Sequence, residues 1–150
     1  RQMCIRDRKS GGKNIAEADA LTHIYGCAAG LDMTRRDLQN KAKENRKPWD
    51  TAKDLDESAV ITPLRQMSEV PSVASGRIHL SQNGTVKQDA DLSEMVWSVP
   101  EIIADLSTMY TLQQGDVIYM GTPAGVGAVS RGDVLAGGVE GIGDFEVKIA

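Results

Sequence analysis

Cysteine is scarce: Cys4 and Cys27 are the two in 150 residues, too few and too isolated for a disulfide framework. Neither belongs to a Cys-x-x-Cys pair or has a spaced histidine partner, so the sequence offers no structural zinc site. They read as reduced thiols, which favours the cytoplasm. Long apolar runs are missing as well. No stretch approaches the roughly 20 residues of a membrane span, and the first residues lack the apolar core of a secretory signal, so no membrane partner is expected. Clustered positive charge is also absent: 17 Lys and Arg against 21 Asp and Glu give a net charge of −4, with both signs mixed along the chain. That pattern argues against a nucleic-acid partner. The two histidines, His23 and His79, stand alone and receive no role.

What is present, 41% hydrophobic and 25% charged residues, suits one globular domain with a core large enough to fold. Arg1 to Arg8 are charged and aperiodic, and are read as a non-native leader outside the folded unit; residues 9–150 then form the domain. Lys9 to Asn14 make a turn, with Asn14 capping a short helix from Ile15 to about Thr22. Ile24 to Leu31 reads as a buried strand whose small residues admit another backbone nearby, ending at Asp32. Thr34 is expected to cap a helix from about Arg35 to Asn45. The Asn83-Gly84 dipeptide between Arg77–Ser81 and Thr85–Lys87 predicts a β-hairpin. Ser98, Pro100 and Glu101 announce a helix from about Val99 to Thr108. Strands are expected at 117–120, 134–139 and 145–149. Strands at both ends, a hairpin between them and few strand–helix alternations make the class α+β.

Three groups of residues have chemical potential. Asp32, Arg36 and Gln39 stand at i, i+4 and i+7, one helical face: the carboxylate suits a hard cation, and the guanidinium and amide suit anionic or carbonyl oxygens. On the residues alone, a surface ion pair at a helix start is the favoured account of Asp32 with Arg36. Lys53, in the irregular stretch Ala52 to Asp56, would act as an electrophile for a developing enolate if held near a cation, although a solvated charge run explains it too. Gly121 to Gly127 form a Gly-rich loop after an apolar segment, in which backbone N–H groups and the Thr122 hydroxyl can approach an anion. The loop has neither the P-loop nor the dinucleotide-binding pattern. Taken alone, it is a tight turn.

Together and in this order, the segments resemble the fumarylacetoacetate hydrolase superfamily from about Lys9 to Ala150. Tyr25 to Thr34 is similar to the strand ending in that family's metal-binding Asp, which implies this role for Asp32. Arg36-Asp37-Leu38-Gln39 resembles its Arg-Asp-x-Gln, whose Arg and Gln face the ligand. Lys53 with Asp56 resembles its Lys-x-x-Asp, implying a catalytic Lys53, and Gly121-Thr122-Pro123 resembles its substrate-carboxylate loop. Leu31 to Gln39, Arg46 to Trp49 and Met95 to Ile103 look most like the fumarylpyruvate hydrolase branch of gentisate breakdown.

The resemblance implies a β-roll of the family's C-terminal type with short peripheral helices, Mg²⁺ (or Mn²⁺), a small 2-oxo acid substrate and a homodimer. The implied reaction is metal-assisted hydrolysis of a carbon–carbon bond in a 2,4-dioxo acid, giving fumarate and pyruvate. Acylpyruvate hydrolysis, oxaloacetate decarboxylation and a non-catalytic ligand-binding or assembly role are the alternatives. One departure stands out. The family's Glu-x-Glu metal pair precedes the Gly-Gly-Lys-Asn-Ile segment, and Arg1 to Arg8 occupy that place here. A truncated member impaired in activity is therefore expected, without the N-terminal lid whose His and Glu activate water.

Overall fold

A computed structural model describes residues 2–8 and 11–150. Arg1, an end of the expected leader, and Lys9 and Ser10, the start of the Lys9–Asn14 turn, lie outside the described residues. The rest of that leader, Gln2–Arg8, is strand β1, laid antiparallel along Ile24–Asp32, β2. The backbone ladder explains why a charged, aperiodic segment takes strand form: it satisfies N–H and C=O groups whatever the side chains are.

β2 organises the first sheet. It pairs with β1 on one side, and on the other with Ala59–Ile61 (β3) and Arg65–Gln66 (β4). Its run of small and apolar residues is buried on both faces, with Cys27, Ala28 and Ala29 fully buried and Leu31 nearly so. Gly26 explains the need for small residues: a Cβ there would lie 2.5 Å from the Arg65 carbonyl oxygen of β4. The Cys27 thiol is buried against Met67, Sγ to Sδ 3.6 Å, and forms no disulfide.

The second sheet has the order β6-β5-β7-β8, from Arg77–Gln82 (β5), Thr85–Asp91 (β6), Val134–Val139 (β7) and Gly143–Lys148 (β8), every pair antiparallel. The predicted hairpin is β5–β6, and Asn83 and Gly84 both take positive φ, 51° and 77°, as a two-residue type I′ turn requires. Among the described residues, three α-helices flank the sheets: Arg36–Glu44 (α1), Asp50–Lys53 (α2) and Val99–Met109 (α3). This is the α+β arrangement the sequence predicts. Among the described residues no helix is long and apolar enough to cross a membrane.

Helix α3 begins as its sequence requires: Ser98 Oγ accepts from the Glu101 N–H, the Glu101 carboxylate accepts from the Ser98 N–H, and Pro100 fills the first turn. Val99, Ile103 and Ser107, four apart, face the core with Ile78, Leu112 and Val139. Ser98→Ala is expected to cost about 1 kcal/mol, read in a thermal melt as a drop of roughly 2–4 °C; an unchanged melt would mean the cap contributes nothing.

Three local expectations are corrected. Asn14 has φ 53° and caps nothing; the following turn is 3-10, starts at Glu17 and has no side-chain cap. The reason is tertiary: the N–H groups of Asn14 and Ile15 are committed to the Ser107 carbonyl and hydroxyl on α3. Thr34 likewise caps no helix, because its hydroxyl accepts from Lys53. Residues 117–120, expected to be a strand, alternate, with Ile118 and Met120 buried and Val117 exposed, yet they join neither sheet. Alternation reports which side chains are buried, whereas a strand also needs a ladder partner.

Candidate active site

Where β2 ends, the chain is fixed on two sides. Asp32 pairs with Ala59 of β3, Met33 N–H donates to Ser58 C=O, and Arg35 N–H donates to Ala52 C=O inside α2. Ala52 is fully buried, which seats the short helix and points its last residue, Lys53, back at the strand end. Lys53 Nζ donates to Asp32 Oδ2 at 2.6 Å and to Thr34 Oγ1 at 2.7 Å. The Lys53 and Asp32 side chains are each 21% exposed, so this ion pair is better shielded than a freely solvated one.

Helix α1 starts four residues on. Arg36 Nη1 donates to Gln39 Oε1 at 2.6 Å, and Gln39 is 1% exposed with a buried Nε2 that has no hydrogen-bond partner. Asp32, Thr34, Arg35 and Arg36 line a cleft of about 290 Å³ whose opposite wall comes from the second sheet and the Gly-rich loop: Leu80, Lys87, Gln88, Leu135 and residues 125–129. Lys53 reaches this cleft through Asp32 and Thr34, and Gln39 is not on its wall. Three cationic side chains, Arg35, Arg36 and Lys87, against Asp32 and Asp37 give the cleft a balance suited to an anion.

Gly121 and Thr122 line a neighbouring cavity of about 630 Å³ with Met95, Trp97 and Met120. The structure thus divides the residues chosen from sequence between two adjacent spaces. Gln88 joins them: it borders the Asp32 cleft, and its Nε2 donates to Thr122 Oγ1 at 3.0 Å and Pro123 O at 2.8 Å.

Thr34, Gln88 and Tyr119 were not identified from the sequence as site residues. Gln88 is 2% exposed while Val86, two residues away in the same strand, is 59% exposed, the reverse of what polarity predicts. The cause is a bulge. Leu80 pairs with Gln88 but Ser81 with Val86, leaving Lys87 as the extra residue and re-aiming Gln88 inward. The Tyr119 hydroxyl is buried without a hydrogen-bond partner, and burial, then the charge of Asp32, push the phenol pKa above its usual 10.0. Tyr119→Phe is expected to leave the melting temperature unchanged or raise it, because an unsatisfied hydroxyl is removed. Since the folded state holds the phenol proton more tightly, stability from Tyr119 is present below pH 10 and lost as pH rises past it; the Phe variant should lose less stability there. Equal alkaline losses would contradict this.

Asp32 and Asp37 are the carboxylates on the wall of the cleft, and among the described residues no group of three His, Cys, Asp or Glu is placed to hold a metal ion. These residues offer a hard cation one strand-end carboxylate, already bonded to Lys53, and do not complete a centre.

Residues 8–150 match the family described as fumarylacetoacetate (FAA) hydrolase C-terminal. The chain is 50% identical over 138 residues to fumarylpyruvate hydrolase of Ralstonia sp., covering 92% of this chain and 71% of that protein. It is 36% identical over 138 residues to the mitochondrial oxaloacetate tautomerase of Rattus norvegicus, covering 92% and 62%. The crystal structure of fumarylpyruvate hydrolase from Pseudomonas aeruginosa in complex with Mn²⁺ and pyruvate superposes with a TM-score of 0.96 at 38% identity, covering 99% of this chain and 64% of that one. The chain therefore spans less than two thirds of the length of the rat and Pseudomonas proteins.

Proposed function

The chain belongs to the fumarylacetoacetate hydrolase family, and we propose that it carries part of the site of a fumarylpyruvate-type hydrolase, which cleaves a carbon–carbon bond in a 2,4-dioxo acid to give fumarate and pyruvate. The observation that carries this reading is the Lys53 ammonium, 2.6 Å from Asp32 and 2.7 Å from Thr34, two residues that line a cleft bordered by Arg35 and Arg36. An ammonium has three N–H donors, of which Asp32 and Thr34 take two. The third serves the enolate oxygen of the leaving group.

In the reaction, water adds to the distal carbonyl carbon, the bond from that carbon to the methylene breaks, and its electron pair leaves as pyruvate enolate, which then takes a proton on carbon. Lys53 stabilises the charge that develops on the enolate oxygen. Arg36, braced by Gln39 at 2.6 Å, draws the carboxylate end of the 2-oxo acid into the cleft. Thr122 and the Gly121 backbone hold a carboxylate oxygen from the loop side. The Mn²⁺ in the Pseudomonas relative supports Mg²⁺ or Mn²⁺ as the cofactor, with Asp32 as this chain's contribution. The described residues alone leave that centre incomplete. The setting in this reading is the cytoplasm, from the two isolated thiols, with gentisate breakdown and a homodimer as the family resemblance implies.

Similarity to the rat oxaloacetate tautomerase favours a second reading, chemistry on oxaloacetate at the same residues. Supplying fumarylpyruvate and oxaloacetate in turn, with Mn²⁺, separates the two: equal amounts of fumarate and pyruvate from the first support hydrolysis, and consumption of oxaloacetate alone supports the second. Calorimetric titration with Mn²⁺ and oxalate, an enolate mimic, tests the site directly. Heat that disappears in Asp32→Ala is expected; identical binding in that variant removes Asp32 from the cation's ligands.

A further inference from the structure

The geometry points to Lys87 as the residue that receives the second carboxylate of a dicarboxylic substrate, and so selects 2-oxo acids that end in a carboxylate over those that end in an alkyl group. This rests on the reading above, in which Arg36 draws in the carboxylate beside the 2-oxo group.

The two walls of the Asp32 cleft differ in charge. On the first, Arg35 and Arg36 follow the end of β2 in company with Asp32 and Asp37. On the second, Lys87 is the one charged residue among the described residues; Leu80, Gln82, Gln88, Leu135 and residues 125–129 carry no charge. A diacid gripped by one end at Arg36 extends across the cleft, and a carboxylate that gives up water on the far side needs a counter-charge. Lys87 is what that wall offers. It is exposed, and among the described residues it belongs to no ion pair; those formed are Lys53 with Asp32 and Arg77 with Asp89. Asp133 feels the Lys87 charge, but its carboxylate is already occupied, accepting from Gln82 Nε2 at 2.6 Å, the Ser130 N–H at 2.7 Å and Asn83 Nδ2 at 2.8 Å. The hydrogen bonds from Asn83, Ser130 and Gln82, and only then Lys87, hold the Asp133 carboxyl below its usual range.

The bulge builds this position. Neighbouring residues of a regular strand face opposite sides, yet Lys87 and Gln88 both line the cleft. Lys87 is the residue left over between the pairs Leu80 with Gln88 and Ser81 with Val86. Bulges beside sites serve to re-aim a side chain in this way. The loop also clamps the Lys87 main chain, since a Cβ on Gly125 would overlap its carbonyl. A fixed root under a flexible four-carbon stem lets the ammonium meet a ligand carboxylate while the strand stays in place.

The test uses the whole chain with Mn²⁺ and a matched pair of 2-oxo acids, 2-oxoheptanedioate and 2-oxoheptanoate, read by calorimetry. They have the same length and the same 2-oxo acid head, and differ in ending as carboxylate or methyl. Neither has the distal carbonyl that water attacks, so neither is cleaved. The parent should bind the diacid about tenfold more tightly, the effect of one charge-assisted hydrogen bond. In Lys87→Met that ratio should fall to about one, in Lys87→Arg the preference should persist, and in Lys87→Glu the diacid should become the weaker ligand. Arg35→Met removes a cation from the other wall and controls for the general field of the cleft; both acids may bind it less well, but their ratio should stay that of the parent. If the parent binds neither acid, the cleft is no 2-oxo acid site, and the reading above fails together with this inference. If the parent binds both equally, if the preference survives in folded Lys87→Met, or if it falls as far in Arg35→Met, the role of Lys87 is overturned while the reading stands. Should Lys87→Met lose its cooperative thermal melt, the other two substitutions decide: preference kept in Lys87→Arg and reversed in Lys87→Glu supports the role, and the same ratio in both overturns it.

Discussion

Lys53→Met is expected to lower turnover of a 2,4-dioxo acid about 10²–10³-fold, the usual result of deleting one aimed donor to a developing oxyanion. The measurement is made in a version extended to the length of its relatives. Methionine keeps most of the volume and the unbranched stem, so Ala52 stays buried and α2 stays seated. What is lost is the ammonium and its bonds to Asp32 and Thr34. Stability should fall far less than turnover, because both side chains of the pair are 21% exposed and water can replace part of the interaction. Lys53→Arg separates charge from geometry. The guanidinium preserves the charge but not the compact three-way donor, so rescue should be partial. Steady-state turnover and a thermal melt on both variants check this; turnover at the parent level in Lys53→Met would remove the residue from the mechanism.

The second large effect is structural in origin. Gly125 combines φ 99° with a position where any Cβ meets the Lys87 carbonyl and approaches Gln88 Cγ to 3.2 Å. Gly125→Ala therefore incurs the strain of a left-handed backbone and a clash with main chain, which cannot swing away as the end of a side chain would. Each term is worth about 1–3 kcal/mol, and together they should lower the unfolding free energy by roughly 3 kcal/mol. Gly121 makes the contrast: its φ of 128° also needs glycine, but a Cβ there would meet nothing within 4 Å. Gly121→Ala should then cost only the backbone term. Denaturant unfolding of the two variants gives the difference, and equal losses would show that the Lys87 contact is relieved at no cost.

Much of this was legible in the sequence because it is local. Asn83-Gly84 dictates a type I′ turn through its own backbone preferences, and Ser98 with Glu101 satisfies helix N–H groups three residues apart. Asp32 at the end of an apolar run, and Arg36 one turn later, are placed by strand and helix periodicity. What was missed depends on partners far along the chain. Asn14 gives up its capping role because Ser107, distant in sequence, takes the N–H groups beside it. Thr34 faces Lys53 instead of capping α1, since α2 returns to the strand end. Gln88 was hidden by one extra residue: without the bulge at Lys87, simple alternation keeps Val86 and Gln88 on the same face, and nothing in the local sequence marks the bulge. The ladder at Gln2–Arg8 belongs to the same group, a strand made by its neighbour's backbone.

The cleft has one wall from the end of β2 and another from β5, β6 and β7, so neither sheet alone forms it. A molecule seated there recognises the docked pair and nothing less. Its binding is thus linked to assembly of the whole domain, and at a hundred times its dissociation constant it would protect the native state by about 2.7 kcal/mol. Ligand concentration then acts on the lifetime of the domain, because a chain that holds ligand spends less time open to proteases.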